Sequence, residues 1–242
     1  MHPLWQSIDK QLLPRHVGII MDGNGRWAQQ RIMPRFQGHR SAVKAVRVTV
    51  ETSAEIGLKA LTLYAFSTEN WKRPQTEVSI LMDLLAEYLE KELNTMLNNN
   101  IQLRLIGDRA ALPDFIHAPL DRALQNTAGN TGLVLNLAVN YGGRAEIIRA
   151  VQSIVSAYAK QPFEIGTIDD AMLQQHLYTP DLPDPDLIIR TSGEYRISNF
   201  LLWQSAYAEF YFTNVLWPDF TQEEFFKALL DFQNRQRRMG GV

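Results

Sequence analysis

The sequence contains no cysteine among its 242 residues. Disulfide bonds, thiolate zinc sites and cysteine nucleophiles are therefore excluded. It also lacks a run of about 18 consecutive apolar residues, the length that a membrane-spanning helix needs. The first ten residues do not show the basic segment and apolar core of a signal peptide. We therefore predict a soluble protein of the cytoplasm.

An excess of positive charge is also missing. The chain has 24 basic and 26 acidic residues, a formal net charge of -2, whereas nucleic-acid binders usually carry a broad surplus of Lys and Arg. We expect no nucleic-acid partner, and any anion site must be local. With 45% hydrophobic and 21% charged residues, the composition is that of an ordinary globular protein. A single core can reach roughly 250 residues, so we predict one domain over residues 1–242.

Several catalytic motifs are absent from the sequence. There is no G-x-x-x-x-G-K-[ST] loop, which excludes the P-loop NTPases. Neither a G-x-S-x-G elbow nor an H-E-x-x-H helix occurs, so nothing points to an α/β-hydrolase or a zinc protease of that type.

Short β-rich runs alternate with longer helical patterns along the whole chain. The predicted strands cover residues 16–21, 60–66, 101–106, 133–139, 186–190 and 209–212. The predicted helices cover residues 40–56, 77–98, 113–127, 144–160, 169–177 and 221–238. This alternation predicts an α/β fold with a mostly parallel six-stranded sheet flanked by helices. In such folds the binding crevice lies beyond the carboxyl ends of the strands.

The first predicted strand leads into a turn that suits a phosphate group. Its residues are Asp22, Gly23, Asn24, Gly25, Arg26 and Trp27. Glycine lets the backbone approach a phosphate closely, and an arginine adds a charge-assisted hydrogen bond. A dinucleotide-binding turn is an alternative, because the segment formally matches G-x-G-x-x-[GA]. A purely structural turn is another. The bulk of Arg26 and Trp27 and the negative charge of Asp22 weigh against the dinucleotide.

Asp22 fits better if a divalent cation lies between it and the phosphates. Mg²⁺ is usually held by one or two carboxylates together with substrate phosphates. Arg35 and His39 follow shortly afterwards and could add donors to a diphosphate, although each alone is more often a surface charge. The turn therefore indicates a pocket for a diphosphate and Mg²⁺.

Two further segments carry polar residues at strand ends. The first contains Ser67, Thr68, Glu69, Asn70, Trp71 and Arg73, and the second contains Arg190, Arg196, Ile197 and Ser198. The first segment is equally typical of a helix N-cap cluster. Paired arginines with a serine suit a diphosphate. Glu209 opens the last predicted strand, where an unpaired Glu is rare, and we predict that it shares the metal ion with Asp22.

Taken together, these segments resemble the cis-prenyltransferases, and among them the bacterial undecaprenyl diphosphate synthases. The matching blocks are residues 16–27, 63–74, 140–144, 190–200 and 217–220, in the family's order. The resemblance implies an enzyme that repeatedly condenses isopentenyl diphosphate onto an allylic primer, farnesyl diphosphate. The expected product is undecaprenyl diphosphate, the lipid carrier precursor for cell-wall synthesis.

The resemblance also implies roles for individual residues. Asp22 and Glu209 would bind Mg²⁺, with Asp22 and Asn70 catalytic. The primer site would comprise Gly23, Asn24, Gly25, Arg26, Trp27, Arg35 and His39, and the isopentenyl diphosphate site Ser67, Thr68, Glu69, Trp71, Arg73, Arg190, Arg196, Ile197 and Ser198. A tail motif, Arg238 and Gly240, would reach across a homodimer. Transient contact with the inner face of the membrane would serve product release.

The helical pattern over residues 77–98 carries an apolar stripe. Its members are Val78, Leu81, Leu85, Tyr88, Leu89, Leu93 and Met96. The spacing by itself is typical of core packing. The resemblance instead implies that this helix forms one wall of a hydrophobic product tunnel, where each buried CH₂ would contribute about 0.8 kcal/mol.

Two rival hypotheses remain at this stage. An oxidoreductase would use the glycine turn for NAD. A non-catalytic prenyltransferase subunit would support an active partner chain, but that hypothesis expects loss of residues such as Asp22, Asn70 and Arg190, which are all present.

Overall fold

The structure is a computed structural model and describes residues 3–236 of the chain. Its six strands are β1 His16–Ile20, β2 Ala60–Ser67, β3 Gln102–Ile106, β4 Val134–Tyr141, β5 Leu187–Arg190 and β6 Glu209–Phe212. They form one sheet in the order β3-β4-β2-β1-β5-β6, and every pairing between neighbours is parallel. The predicted α/β fold with its six-stranded sheet is confirmed.

Eight α-helices connect and cover the strands within residues 3–236. They are α1 Asn24–Gln30, α2 Arg35–Glu55, α3 Gln75–Lys91, α4 Leu93–Asn98, α5 Asp114–Thr127, α6 Gly143–Lys160, α7 Asp170–His176 and α8 Gln222–Gln233. A 3-10 helix, Thr68–Lys72, follows β2. None of the described helices is long and apolar enough to cross a membrane.

Two predicted helices differ from the structure. The single helix over residues 77–98 is two helices, α3 and α4, that meet at Glu92. Glu92 is buried and bonds to Arg47 of α2, a contact that no local sequence pattern reveals. The short helix α1 was not predicted, because its seven residues carry little periodicity.

The sheet separates two unequal cores. Val17, Ile19 and Leu61 belong to the larger core, which α2, α3, α5 and α8 also line. Ile20 and Ile188 point to the opposite face, where a smaller core gathers around Phe200 and Tyr141. This alternation follows from the period of two in a strand. Both faces are therefore covered, as the nearly continuous apolar strands indicated.

The strand order changes direction at β1, which pairs with β2 on one side and β5 on the other. The chain leaving β1 leads through α1 and α2 to β2, whereas the chain leaving β5 leads to β6 on the other flank. The loops after β1 and β5 therefore diverge and leave a crevice between them. Ligands of open α/β sheets bind at such a point.

Candidate active site

Asp22 lies just beyond the carboxyl end of β1. Its Oδ2 accepts a hydrogen bond from Nη2 of Arg190 at 2.9 Å, and its own backbone N–H donates to Oγ1 of Thr191 at 2.9 Å. Burial alone would raise the pKa of the Asp22 carboxyl, but the hydrogen bond and charge of Arg190 outweigh it and hold the pKa below its usual value. Asp22 is therefore ionised at neutral pH.

The turn after Asp22 requires glycine. Gly23 has φ +104°, and a Cβ there would lie 2.9 Å from side-chain atoms of Leu216 and Ser192. No L residue with a side chain fits this conformation and space without strain. Asn24 follows as the first residue of α1, and its Nδ2 lies 3.3 Å from Nδ1 of His39.

Arg26 reaches from α1 to the loop after β5. Its Nη1 donates to the carbonyl oxygen of Ser192 at 2.8 Å, and its Nη2 lies 3.1 Å from Oε1 of Glu194. The same guanidinium is 3.8 Å from Oδ2 of Asp22. Two distant segments of the chain are thus joined around Asp22 by charged groups.

Arg190 organises the loop that follows β5. It is only 4% exposed, and its Nη1 donates to Oγ of Ser198 at 2.6 Å and to the carbonyl oxygen of Arg196. Its Nε has no hydrogen-bond partner among the described residues. A buried cationic N–H without a partner is costly, and Arg190 lies in the wall of the adjoining cavity.

The loop after β2 folds into the 3-10 helix Thr68–Lys72 with a capping box. Oδ1 of Asn70 accepts from the backbone N–H of Ser67 at 3.1 Å, so this residue caps the 3-10 helix. It does not cap α3, whose N-cap residue Pro74 has no side-chain hydrogen bond to the helix. The indole N–H of Trp71 donates to Oδ1 of Asn140 at 2.7 Å. These bonds give the loop a fixed shape beside the cavity.

Glu77 gathers three basic side chains at the start of α3. Its Oε1 lies 2.9 Å from Nη1 of Arg73 and 3.4 Å from Nε2 of His39, and its Oε2 lies 3.7 Å from Nε of Arg35. Burial lowers the pKa of His39, and the charge of Glu77 only partly opposes this. The sequence interpretation did not assign Glu77 to the site, although it comes only four residues after Arg73 in the sequence.

Several of these groups line one cavity of about 630 Å³. Its polar walls contain Asp22, Asn24, His39, Ser67, Glu69, Asn70, Arg73, Arg190, Arg196, Ser198 and Asn199, and its apolar walls include Val43, Val46, Leu63, Phe66, Leu81, Met82, Leu84, Leu85, Tyr88, Leu137 and Val139. The cavity therefore joins an ionic region to an apolar region between α2, α3 and the sheet.

The apolar stripe of α3 and α4 serves both predicted purposes. Leu81, Leu85 and Tyr88 line the cavity, whereas Val78 and Met96 are fully buried in the larger core. One part of the stripe therefore packs in the core, and the other part forms a wall for an apolar ligand. A cavity of this kind fits the predicted product tunnel.

The site can hold Mg²⁺ only together with a ligand that brings its own oxygen atoms. Among residues 3–236 no group of three or more His, Cys, Asp or Glu side chains is placed to bind a metal ion. Asp22 is an oxygen ligand of the type that Mg²⁺ prefers, and this ion commonly completes its shell with substrate phosphates and water. The residues present therefore fit a metal shared with a diphosphate.

The prediction that Glu209 shares this metal with Asp22 within one chain is wrong. Glu209 is level with Leu187 across the sheet, and Leu187 is level with Val17. Asp22 comes five residues after Val17, which is about 16 Å of extended chain. Glu209 starts its strand whereas Asp22 follows one, so the two lie at opposite edges of a parallel sheet. Oε2 of Glu209 instead accepts from Nη1 of Arg235 at 2.9 Å.

Some predicted site residues lie away from the main cavity. The indole N–H of Trp27 donates to Oδ1 of Asp219 at 2.7 Å, and Arg31 stacks on its ring. Thr68 and Trp71 line a neighbouring cavity of about 340 Å³. Ile197 packs against the smaller core. The tail motif, Arg238 and Gly240, lies outside the described residues.

The charged and polar residues that the main cavity gathers come from four segments of the chain. The profile of the prenyltransferase family described as "Putative undecaprenyl diphosphate synthase" matches residues 20–240. The isoprenyl transferase of Clostridium tetani is 52% identical over 236 residues, 98% of this chain and 92% of the relative. The isoprenyl transferase of Bacillus subtilis is 50% identical over 237 residues, 98% of this chain and 91% of the relative.

Solved structures agree with the sequence relatives. Lavandulyl diphosphate synthase from Lavandula x intermedia, in complex with dimethylallyl diphosphate, has a TM-score of 0.93 at 35% identity and covers 95% of this chain and 99% of its own. A probable undecaprenyl diphosphate synthase from Campylobacter jejuni has a TM-score of 0.78 at 35% identity and covers 94% and 98%.

Fold and site together define an enzyme that transfers isoprenyl groups. More particularly, the chain belongs to the undecaprenyl diphosphate synthase family, the cis-prenyltransferases that the sequence blocks resembled. The oxidoreductase hypothesis loses its support, because the glycine turn leads into the seven-residue helix α1 rather than a dinucleotide-binding βαβ unit.

Proposed function

We propose that the protein condenses isopentenyl diphosphate repeatedly onto farnesyl diphosphate to make undecaprenyl diphosphate. The observation that carries this proposal is the two-part cavity. Asp22, Arg190 and Arg196 line its ionic region, and leucine, valine and phenylalanine side chains line the rest. Such walls suit a ligand with a diphosphate at one end and a long hydrocarbon at the other.

In the proposed reaction the bond between the allylic C1 and its diphosphate oxygen breaks. The double bond of isopentenyl diphosphate attacks that carbon through C4, and a proton leaves C2 to give a new cis double bond. Cationic side chains around the turn after β1 would stabilise the negative charge that develops on the departing diphosphate, a contribution typically worth about 10²–10³ in rate per preorganised donor. Arg190 and Arg196 would hold the diphosphate of isopentenyl diphosphate. The apolar walls exclude water from the carbocation-like carbon.

Mg²⁺ is part of this proposal. Asp22 would hold the ion against the diphosphate of the primer, and the ion would supply positive charge to the departing group. Arg26, Arg35 and His39 would complete the cradle for the same diphosphate, since all three lie around the turn after β1.

Proton removal is assigned to the released diphosphate. A plain amide is a poor base, and Oδ1 of Asn70 already accepts a hydrogen bond from Ser67. In this proposal Asn70 shapes the loop that holds isopentenyl diphosphate together with Ser67 and Arg73.

We also propose a homodimer. Helix α6 exposes Ile148, Val151, Val155 and Tyr158, which follow one another at helical spacing on one side. Exposed apolar stripes of this kind often mark protein–protein contacts, and a second copy of the chain would cover them. Sedimentation velocity would show a dimer, and replacing Val151 with Glu should shift the population toward monomer.

The test of the proposed function is the product itself. The protein would be incubated with farnesyl diphosphate and labelled isopentenyl diphosphate, with Mg²⁺ or with a chelator, and the lipids analysed by mass spectrometry. We expect chains that grow by isoprene units up to undecaprenyl diphosphate and no growth without the metal. A product containing a single condensation would overturn the long-chain assignment, and absence of incorporation would overturn the activity. The cytoplasmic location and the membrane contact for product release stay predictions.

A further inference from the structure

Asn199 joins three segments of the site. Its Nδ2 donates to Oε1 of Glu69 at 2.9 Å, and its Oδ1 accepts from the backbone N–H of Arg144 at 2.9 Å. Its carbonyl oxygen accepts from the N–H of Gly143 at 2.7 Å. One residue of the loop after β5 is thereby bonded to the 3-10 helix after β2 and to the first turn of α6.

The backbone around Asn199 is strained. Asn199 has φ +63°, and its neighbours Ser198 and Leu201 have φ +50° and +43°. Such left-handed conformations are uncommon without glycine and persist only where the surroundings hold them. Arg190 holds Ser198 from one side through its hydroxyl. Asn199 holds the loop from the other side through its hydrogen bonds, and asparagine tolerates the left-handed backbone conformation.

The packing leaves room for these bonds and little else. A Cβ at Gly142 would lie 2.7 Å from Nδ2 of Asn199 and 2.8 Å from Oγ1 of Thr68. A side chain there would displace the amide of Asn199 or the hydroxyl of Thr68. The glycine that precedes α6 therefore permits the close approach of both loops.

The bond to Glu69 is charge-assisted. Burial would raise the pKa of Glu69, but hydrogen bonds, including the one from Asn199, hold the pKa below its usual value. Hydrogen bonds to a charged partner are stronger than neutral ones. The amide needs its donor for Glu69 and its acceptor for Arg144 at the same time, which no other side chain of this size provides.

We propose that Asn199 is a positioning residue that sets the spacing between the loop bearing Arg196 and Ser198 and the loop bearing Asn70. By fixing that spacing it shapes the isopentenyl diphosphate subsite. This inference rests on the proposed function for its kinetic consequence, whereas the coupling between the loops is a property of the folded chain alone.

The test is Asn199→Asp, which keeps the size, the acceptor for Arg144 and tolerance of the left-handed backbone. It removes the donor and places a second carboxylate against Glu69. We expect the KM for isopentenyl diphosphate to rise about 10- to 100-fold, the range for loss of a hydrogen bond to a charged group. The KM for the primer should stay close to the wild-type value. Hydrogen–deuterium exchange should become faster in residues 67–72 and 196–201.

A compensating substitution sharpens the test. Glu69→Gln added to Asn199→Asp restores one donor and one acceptor with their roles exchanged, so the double variant should recover part of the KM that Asn199→Asp loses. The matched control is Asn130→Asp. Asn130 also ties a loop by its Nδ2, at 2.7 Å from the carbonyl oxygen of Ile101. Both residues lie just before β3 and β4 begin, away from the carboxyl ends of the strands where the charged cavity residues lie, and the substitution should leave both KM values unchanged.

The proposal is overturned if Asn199→Asp leaves exchange in residues 67–72 and the KM for isopentenyl diphosphate at wild-type levels. It is also overturned if Asn130→Asp raises that KM equally, since the effect would then be general destabilisation. A wild-type protein that incorporates no isopentenyl diphosphate would refute the proposed function instead, and the exchange measurement would still decide whether Asn199 couples the loops.

Discussion

The carboxyl ends and the amino ends of the parallel strands form two opposite edges of the sheet. These two edges use ionisable groups in opposite ways. At the carboxyl edge, Asp22 and Arg190 line an open cavity, and Nε of Arg190 has no partner among the described residues. At the amino edge, Asp186 accepts from the backbone N–H of Arg15, and Glu209 bonds to Arg235. One edge keeps charged groups available to a ligand, and the other uses them to join segments of the chain.

Backbone strain follows the same division. Left-handed residues at or after the carboxyl ends of the strands are Gly23, Gly107, Asn140, Ser192, Gly193, Ser198, Asn199 and Leu201. Among the residues that enter strands, those with positive φ in the described chain are Gly57 and Asn100. Strain of this kind collects where function fixes the backbone. In this fold the charged groups that stabilise the chain therefore lie at the amino ends of the strands, and those of the candidate active site lie at the carboxyl ends.

The largest expected difference between the edges is in their carboxylates. Asp22→Asn keeps the shape and an acceptor for Arg190 but removes the charge, so Mg²⁺-dependent incorporation of isopentenyl diphosphate should fall about 10²- to 10³-fold. Asp186→Asn at the amino edge should leave turnover intact and lower the free energy of unfolding by about 1–3 kcal/mol. Steady-state rates and urea unfolding of both variants measure this. Similar turnover in the two would break the comparison.

Arg196 tests how the carboxyl edge divides its two substrates. Its side chain is more than half exposed and lines the cavity beside Glu194. Arg196→Ala should raise the KM for isopentenyl diphosphate about 10- to 100-fold, because a charge-assisted contact is lost, with little change in the KM for the primer. Equal increases in both KM values would contradict the assignment of Arg196 to one substrate.

His16 tests the amino edge through pH. Burial lowers its pKa to about 4. Its Nδ1 lies 2.7 Å from the carbonyl oxygen of Pro183, and its Nε2 lies 2.7 Å from Oγ1 of Thr62. In the unfolded chain His16 binds a proton near pH 6.5. The contribution of neutral, buried His16 to the free energy of unfolding is therefore complete above pH 6.5 and is lost as the pH falls toward 4. The loss is about 3 kcal/mol at about 1.4 kcal/mol per pKa unit.

His16→Gln removes the titrating group and should flatten that part of the pH dependence. Urea unfolding of wild type and variant between pH 7 and pH 4 gives the difference directly, because other groups titrate alike in both. If the two proteins lose the same free energy across this range, His16 does not titrate as its burial requires.

Ile32 gives the smallest expected effect. It lies between α1 and α2 with φ +56° and is 97% exposed. A left-handed conformation costs a residue with a Cβ roughly 1–2 kcal/mol, and glycine has an opposing entropy cost of roughly 0.5–1 kcal/mol. Ile32→Gly should therefore raise the free energy of unfolding by about 0.5 kcal/mol without changing turnover. Thermal unfolding would measure it, and a destabilised variant would show that the tip is held by contacts of the isoleucine.

The sequence predicted the fold well because its signals are local. Each strand is a short apolar run between helical patterns, so all six were found. The division of one helix at Glu92 was missed, since it depends on Arg47 from another helix. Helix α1 was missed because seven residues carry little periodicity.

The site was predicted in part. Asp22, Arg190, Arg196 and Ser198 line one cavity, because each lies at or after the carboxyl end of its strand. Glu209 was misplaced because its position at the beginning of a strand was not weighed against the direction of the sheet. Asn199 was missed because its partners lie 55 and 130 residues away in the sequence, and no local pattern indicates such contacts.

The carboxylate of Glu77 has a consequence for how an anionic ligand would enter. Arg35, His39 and Arg73 already face this internal counter-ion, so an arriving diphosphate would take the place of one negative group rather than neutralise bare cations. Part of the favourable electrostatic free energy of binding would offset the loss of the contacts with Glu77. Association should accordingly depend less steeply on ionic strength than the unmatched positive charges of Arg35 and Arg73 would require.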